Sequence, residues 1–304
     1  MNVMYSKRLA IAVLSGALAF PGSSRGPGPA VLRAQAAERH LYVSALDPNG
    51  APVANLGVTD FVVREDGVAR EVLRVRRATD PMQIALVVDT SQAATDAILD
   101  IRDALSGFID RMQGGNEIAL IGFGDRPTIL ADYSTSSITV KKGIGRLFAI
   151  PNSGSYLLDA ILEVSRGFER REAGRPVILA ITAEGTEYSN LTYEPVLKSL
   201  TASGAAFHAV ILTSRSPEYL RDEERNRNLV LDLGTKATGG RRDNLLTPMT
   251  LVATLKKVAE ELSNQYLVTY ARPESLIPPQ KTAVTAANPG LTVRGTPVRV
   301  PKGA

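Results

Sequence analysis

Five apolar residues, "IALVV" at 84–88, run into Asp89-Thr90-Ser91, so a strand would deliver a carboxylate and two hydroxyls at its end. Oxygen donors in that spacing suit a hard dication. They suit equally well the free backbone N–H groups of a following helix, which a hydroxyl or carboxylate can cap. The next alternate position, 93, is Ala, so a further oxygen in register is missing. Other chemistry-bearing residues stand alone. Asp159 falls early in a helical pattern that starts near Ser155, where the helix dipole favours a negative charge. Asp125 and Asp132 end edge strands and are expected to be solvated. The only two histidines, His40 and His208, are far apart and make no acid–base pair; His208, inside an apolar strand, reads as a partnered core residue. No Cys/His spacing suits zinc, and there is no nucleophile elbow, phosphate loop or G-x-G-x-x-G motif.

The elements that must position Asp89 and Ser91 can be read from periodicity. Strand candidates are "IALVV" (84–88), "EIALIGF" (117–123), "TILADY" (128–133), "PVILAIT" (176–182), "AFHAVIL" (206–212) and "QYLVTY" (265–270). Several are apolar on both faces, as buried parallel strands must be. Between them lie helical stripes: Ile98, Ile101, Leu105, Phe108 and Met112; Leu157, Ile161, Val164 and Phe168; and Leu251, Leu255, Val258 and Leu262, preceded by Thr247-Pro248 as cap and first turn. The fold class is therefore α/β: a doubly wound, mostly parallel sheet with helices on both faces. The strands at 117–123 and 128–133 are joined by only "GDRP", too short for a crossover, so one edge strand is antiparallel. Residues 41–78 alternate β-rich runs with Asn-Gly and Asp-Gly turns, and the Pro-rich 275–304 ends in two β-prone runs around Asn288-Pro289-Gly290. An isolated hairpin is marginal in water, so 41–78 and about 280–300 are expected to pair into one small β-rich unit from the two chain ends.

Residues 1–36 join a basic start (Lys7, Arg8), the apolar run "LAIAVLSGALAF" and a small-residue signal "RAQA", the pattern of a signal peptide. Twelve apolar residues are too few to span a bilayer. The chain has no Cys, hence no lipid-modified thiol and no disulfide. Removing the leader leaves 31 basic against 31 acidic residues, so the basic character belongs to the leader and argues for neither nucleic acid nor an anionic membrane. The absence of Trp and the low aromatic content weigh against a base-stacking surface. "RVRR" (74–77) and "RRD" (241–243) read as solvated surface. The expected division is a signal peptide at 1–36, an N-terminal β-rich region at 37–79, an α/β domain at 80–274 and a β-hairpin or tail at 275–304.

The segments "IALVVDTSQA", "EIALIGFGD", "GSYLLDAI" and "VILAITAEG", in this order, resemble a von Willebrand factor type A domain over about residues 80–271. "FVVREDGVAREV" before it and "LKKVAEELSNQYLVTYARPE" at its end resemble a bacterial exported subfamily. The resemblance implies a metal-ion-dependent adhesion site, in which hydroxyls and carboxylates from three loops hold Mg²⁺ or Mn²⁺ and a partner adds a carboxylate. Carried over residue by residue, the family's Asp-x-Ser-x-Ser keeps Asp89 and Ser91 and loses its second Ser to Ala93. Ser155 stands where the second loop has Thr, and Glu184 stands where the third has Asp.

The expected site is thus Asp89, Ser91, Ser155 and Glu184 in degenerate form, with no cofactor or only weakly bound Mg²⁺ or Mn²⁺. The functional reading is an exported (periplasmic or secreted), non-enzymatic module. It would bind an unidentified protein partner at the loops on the carboxyl end of the sheet, with no nucleic acid and no membrane span after signal cleavage. Two other readings stay open at this point: a structural or assembly protein of the cell envelope, and a metal-dependent hydrolase using Asp89 or Glu184.

Overall fold

The computed structural model describes residues 36–213, 221–274 and 277–299. The expected signal peptide, apart from Ala36, lies outside the described residues. In chain order the strands are β1 (Ala36–Leu46), β2 (Phe61–Glu65), β3 (Val68–Arg70), β4 (Val72–Arg77), β5 (Gln83–Val88), β6 (Glu117–Gly122) and β7 (Thr128–Ser134). They continue with β8 (Pro176–Ala183), β9 (Ala206–Leu212), β10 (Arg242–Leu245), β11 (Tyr266–Pro273), β12 (Thr282–Ala286) and β13 (Thr292–Pro297). The helices are α1 (Ile98–Arg111), α2 (Ser137–Ile144), α3 (Leu157–Arg171), α4 (Tyr193–Ser203), α5 (Asp222–Thr238) and α6 (Leu251–Ser263).

The doubly apolar runs form a six-stranded sheet ordered β10-β9-β8-β5-β6-β7. All neighbours in it are parallel except β6 and β7, which the short link makes antiparallel. Every residue of β8 is buried, because helices cover both faces of the sheet. On one face Ile101, Leu105 and Phe108 of α1 and Leu255 and Val258 of α6 pack on Leu86, Val88 and Leu179. On the other, Leu158, Ile161 and Phe168 of α3 and Val230 of α5 pack on Val87, Ile178 and Phe207. Each such side chain contributes roughly 1.5–3 kcal/mol on burial.

The chain ends interleave with the exit strand of this body. One sheet is ordered β13-β1-β11-β4, with Leu41 opposite both Val268 and Pro297. A second is ordered β12-β2-β3, with Val63 opposite Val284. Leu41, Val43, Phe61, Val63, Tyr266 and Val268 form the core between them. The "QYLVTY" run therefore does not extend the parallel sheet; it lies antiparallel between β1 and β4. Arg175, just before β8, ties this layer to the body. Its buried guanidinium donates to the carbonyls of Ala78, Asp80 and Leu262 and to Gln265 Oε1, and lies 4.7 Å from the Tyr42 ring centre.

Two local readings are corrected by the structure. The "RRD" segment is solvated only in part: Arg242, which opens β10, is exposed, while the half-buried Arg241 pairs with Asp243 at 2.6 Å and with the buried Glu261 at 3.3 Å. Arg294 of β13 meets the same Glu261 at 2.6 Å. His208, in mid-β9, is fully buried as expected, yet neither ring nitrogen has a hydrogen-bond partner among the described residues. Burial drives its pKa down to about 4, opposed by Glu261 and Asp243 and reinforced by Arg294 and Arg241.

Candidate functional site at the carboxyl end of the sheet

Where β5 ends, the chain turns through Asp89, Thr90 and Ser91 into a 3₁₀ turn at Gln92–Ala97 that feeds α1. Asp89 is fully buried. Its Oδ1 accepts the Ser91 N–H at 2.8 Å, and its Oδ2 accepts the Ala183 N–H at 2.9 Å and the Thr182 hydroxyl at 3.3 Å. Burial raises the Asp89 pKa, and these donors, with the Ser91 side chain, pull it back. One carboxylate thereby fastens the loop after β5 to the end of β8.

Thr90 joins two further segments to these. Its hydroxyl accepts the Gly124 N–H at 2.8 Å and its carbonyl accepts the Ile150 N–H at 2.9 Å. Gln92 Oε1 accepts the Asn152 N–H at 2.8 Å. Ala93 is pressed against the loop after β8: a Cβ on Gly185 would lie 2.5 Å from its methyl group. Only glycine at 185 allows the two loops to come so close.

Ser155 is buried in the same loop cluster. Its hydroxyl donates to Glu187 Oε2 at 3.0 Å, and the Glu187 Oε1 accepts the N–H groups of Leu157 (3.1 Å) and Ser189 (3.3 Å). Glu187 also receives support through its own N–H, which donates to Glu224 Oε1 at 3.3 Å. Burial pushes the Glu187 pKa up to about 7, while its hydroxyl and amide donors and Arg227 favour the charged form. Sequence reasoning missed Glu187 because "GTEYSN" is a polar loop with no periodicity to mark a buried position. Glu184 differs from the other three candidates: its side chain is exposed, and its N–H donates to Leu212 O at 3.0 Å. Asp159 occupies the first turn of α3. Among the described residues, no group of three or more His, Cys, Asp or Glu could hold a metal ion.

Around this hydrogen-bonded floor stand exposed apolar side chains. Phe148 is 61% exposed and Tyr188 48%, and Ile150, two residues after Phe148 in the same loop, is exposed as well. The Arg102 guanidinium lies 4.5 Å from the Phe148 ring centre, and Tyr188 meets Tyr156 edge-on at 6.0 Å. Residues 84–185, which span Asp89, Ser91, Ser155 and Glu184, match the family model of the von Willebrand factor type A domain. The chain contains a von Willebrand factor type A domain.

Solved structures similar to the chain include a von Willebrand factor type A protein from Catenulispora acidiphila, at 16% identity and a TM-score of 0.49, covering 82% of this chain and 66% of that one. Another is proximal thread matrix protein 1 from the mussel byssus, at 17% identity and 0.48, covering 66% and 50%. A third is an aerotolerance-related membrane protein from Bacteroides fragilis, at 16% identity and 0.45, covering 60% and 98%. The chain thus spans about two thirds of the first of these proteins and half of the second. No curated protein matches the chain. Asp89, Thr90 and Glu187 knit together the loops that carry Ser91, Ser155 and Glu184.

Proposed function

We propose that the chain is an exported, non-enzymatic protein-binding module that recognises its partner with the loops at the carboxyl end of the type A sheet. The observation that carries this reading is the exposed set Phe148, Ile150 and Tyr188 on loops held rigid by buried hydrogen bonds. Exposed aromatic side chains on a fixed floor are the usual anchors of a protein interface. The basic and apolar stretches of 1–36 support export. No helix among the described residues is long and apolar enough to cross a membrane. The pairings of β1 with β13 and β2 with β12 support treating 37–79 and 275–304 as one unit around a type A domain at 80–274.

Crosslinked capture from the exported fraction tests this reading. A partner retained by the unaltered protein is expected to be lost with Phe148→Glu combined with Tyr188→Glu. It should be kept with Ile138→Glu, at an equally exposed position on α2. Equal retention by all three would remove the loops from the interface.

Mg²⁺ and Mn²⁺ are expected to bind this site weakly at best. Ala93 supplies no oxygen, the Ser155 hydroxyl is turned to Glu187, and both Asp89 oxygens already accept protein donors. A hard dication needs several oxygens free to face it, and this donor set does not fit tight binding. Calorimetry should show no micromolar binding, and Ala93→Ser should tighten whatever is measured. Micromolar binding abolished by Asp89→Ala would overturn the expectation. An Ala93→Ser variant without gain would move the limitation to the Ser155–Glu187 contact.

A further inference from the structure

At the opposite end of the sheet from Asp89, the chain-end strands stand off from α4 and α5 and leave a cavity of about 850 Å³. It is bordered by Gly204 and Ala205 just before β9 and by Thr238 at the end of α5, so it opens on the amino-terminal side of the parallel strands. Thr296 of β13 clasps its base by donating to Thr238 O at 2.7 Å. Its volume is within the range of small-molecule sites.

The lining has two characters. Leu197, Leu233, Ala237, Pro278, Pro297 and Val298 make an apolar wall. The charged members are unequal: Arg39, Lys236, Arg272 and Lys281 against the single carboxylate of Glu65. Glu65 is already saturated, accepting Arg272 Nε at 3.1 Å, Arg70 Nε at 2.9 Å and the Tyr270 hydroxyl at 2.9 Å. Lys236 is paired with Asp232 at 2.8 Å. Arg39 and Lys281 have no ion-pair partner among the described residues. Two cations without an ion pair among the described residues, beside an apolar wall, complement a ligand with one negative head and a hydrocarbon body, although Asp66 accepts the Lys281 backbone N–H at 2.9 Å.

We infer that this cavity binds an amphipathic organic anion, its carboxylate or sulfonate met by Arg39 and Lys281 and its apolar body laid against Leu197, Leu233 and Ala237. The site lies on different elements from the partner-binding loops and is independent of them.

The probe is 8-anilinonaphthalene-1-sulfonate, titrated by fluorescence into the full protein. Saturable binding at one site is expected, displaced by monomeric decanoate and not by decylamine, whose charge is opposite. Lys281→Glu and Arg39→Glu should each weaken the probe at least tenfold. So should Ala237→Trp, which fills the cavity from an exposed helix position. Circular dichroism checks that the three variants keep the fold, and the two charge reversals, both on strands or loops away from the core, decide the matter if the tryptophan perturbs it. Absence of saturable binding, equal displacement by decylamine, or variants that bind like the unaltered protein would overturn the site. Binding to phosphatidylglycerol vesicles without any competition by decanoate would do the same, by assigning the cations to a lipid surface.

Discussion

Replacing Arg175 by methionine lowers the stability of the protein by about 3–5 kcal/mol, because several buried oxygen acceptors lose their donor together. The side chain is only 4% exposed, and its loss strands the carbonyls of Ala78, Asp80 and Leu262 and the Gln265 amide oxygen without a donor. Each unsatisfied buried acceptor costs about 1–3 kcal/mol, whereas methionine returns only the apolar contact with Tyr42. Arg175→Lys keeps the charge but cannot serve carbonyls on several segments from one planar fork, so it recovers less than half of the loss. Urea unfolding followed by circular dichroism measures both. A loss below about 1 kcal/mol for Arg175→Met would mean that water reaches these carbonyls and that the guanidinium is not what ties the layers together.

His208→Leu flattens the acid side of the stability profile. The imidazole titrates near its ordinary value of 6.5 when unfolded and at about 4 when folded, so between these values the unfolded chain holds the extra proton. Its contribution is therefore fully present above pH 6.5 and drains away as the pH falls toward 4, by about 3 kcal/mol in all. Leucine does not titrate, and it replaces two ring nitrogens that have no partner, so the variant should match or exceed the parent at pH 7. Chemical denaturation at pH 7, 5.5 and 4 is the measurement. Parallel profiles for the two proteins would show that the imidazole finds a proton acceptor in the folded state, with Glu261 the nearest candidate among the groups that raise its pKa.

The parts of the fold that were legible in the sequence are those in which one side chain reports its own surroundings. The strands β5, β6, β8 and β9 are apolar on both faces because helices cover both, and α1, α3 and α6 show unbroken three- and four-residue stripes. α5 hid because it turns Gly234, Thr235 and Thr238 inward beside Val230 and Leu231, which leaves no hydrophobic stripe. α2 has only eight residues, too few for a period to declare itself. β10 hid because its four residues, "RDNL", are charged or polar but for the last and alternate exposed with half-buried positions, with no apolar run to mark a strand. The destination of β11 was not legible either, since alternation says that a strand is half buried and not which sheet receives it.

At the site, Asp89, Ser91 and Ser155 could be located from their positions after strands and before a helix. What the sequence could not state is that these oxygens point at protein donors and acceptors. That depends on Ala183, Thr182 and Glu187, which arrive from a loop about a hundred residues later for Asp89 and about thirty for Ser155.

The interleaving of the two chain ends has a consequence for the order in which the molecule can be assembled. His40 of β1 meets Thr269 of β11 across 229 residues of intervening chain. During synthesis, β1 has no strand to join until Tyr266–Pro273 has been made, and β13 closes its other edge later still. Contacts of such long range are slow to form, because loop closure must precede any gain from them. The early strand thus waits, unpaired, while the parallel sheet gathers its own neighbours. A strand placed this way stays extended and without its ladder until β11 has been made, so its backbone donors and acceptors are met by water for most of that interval.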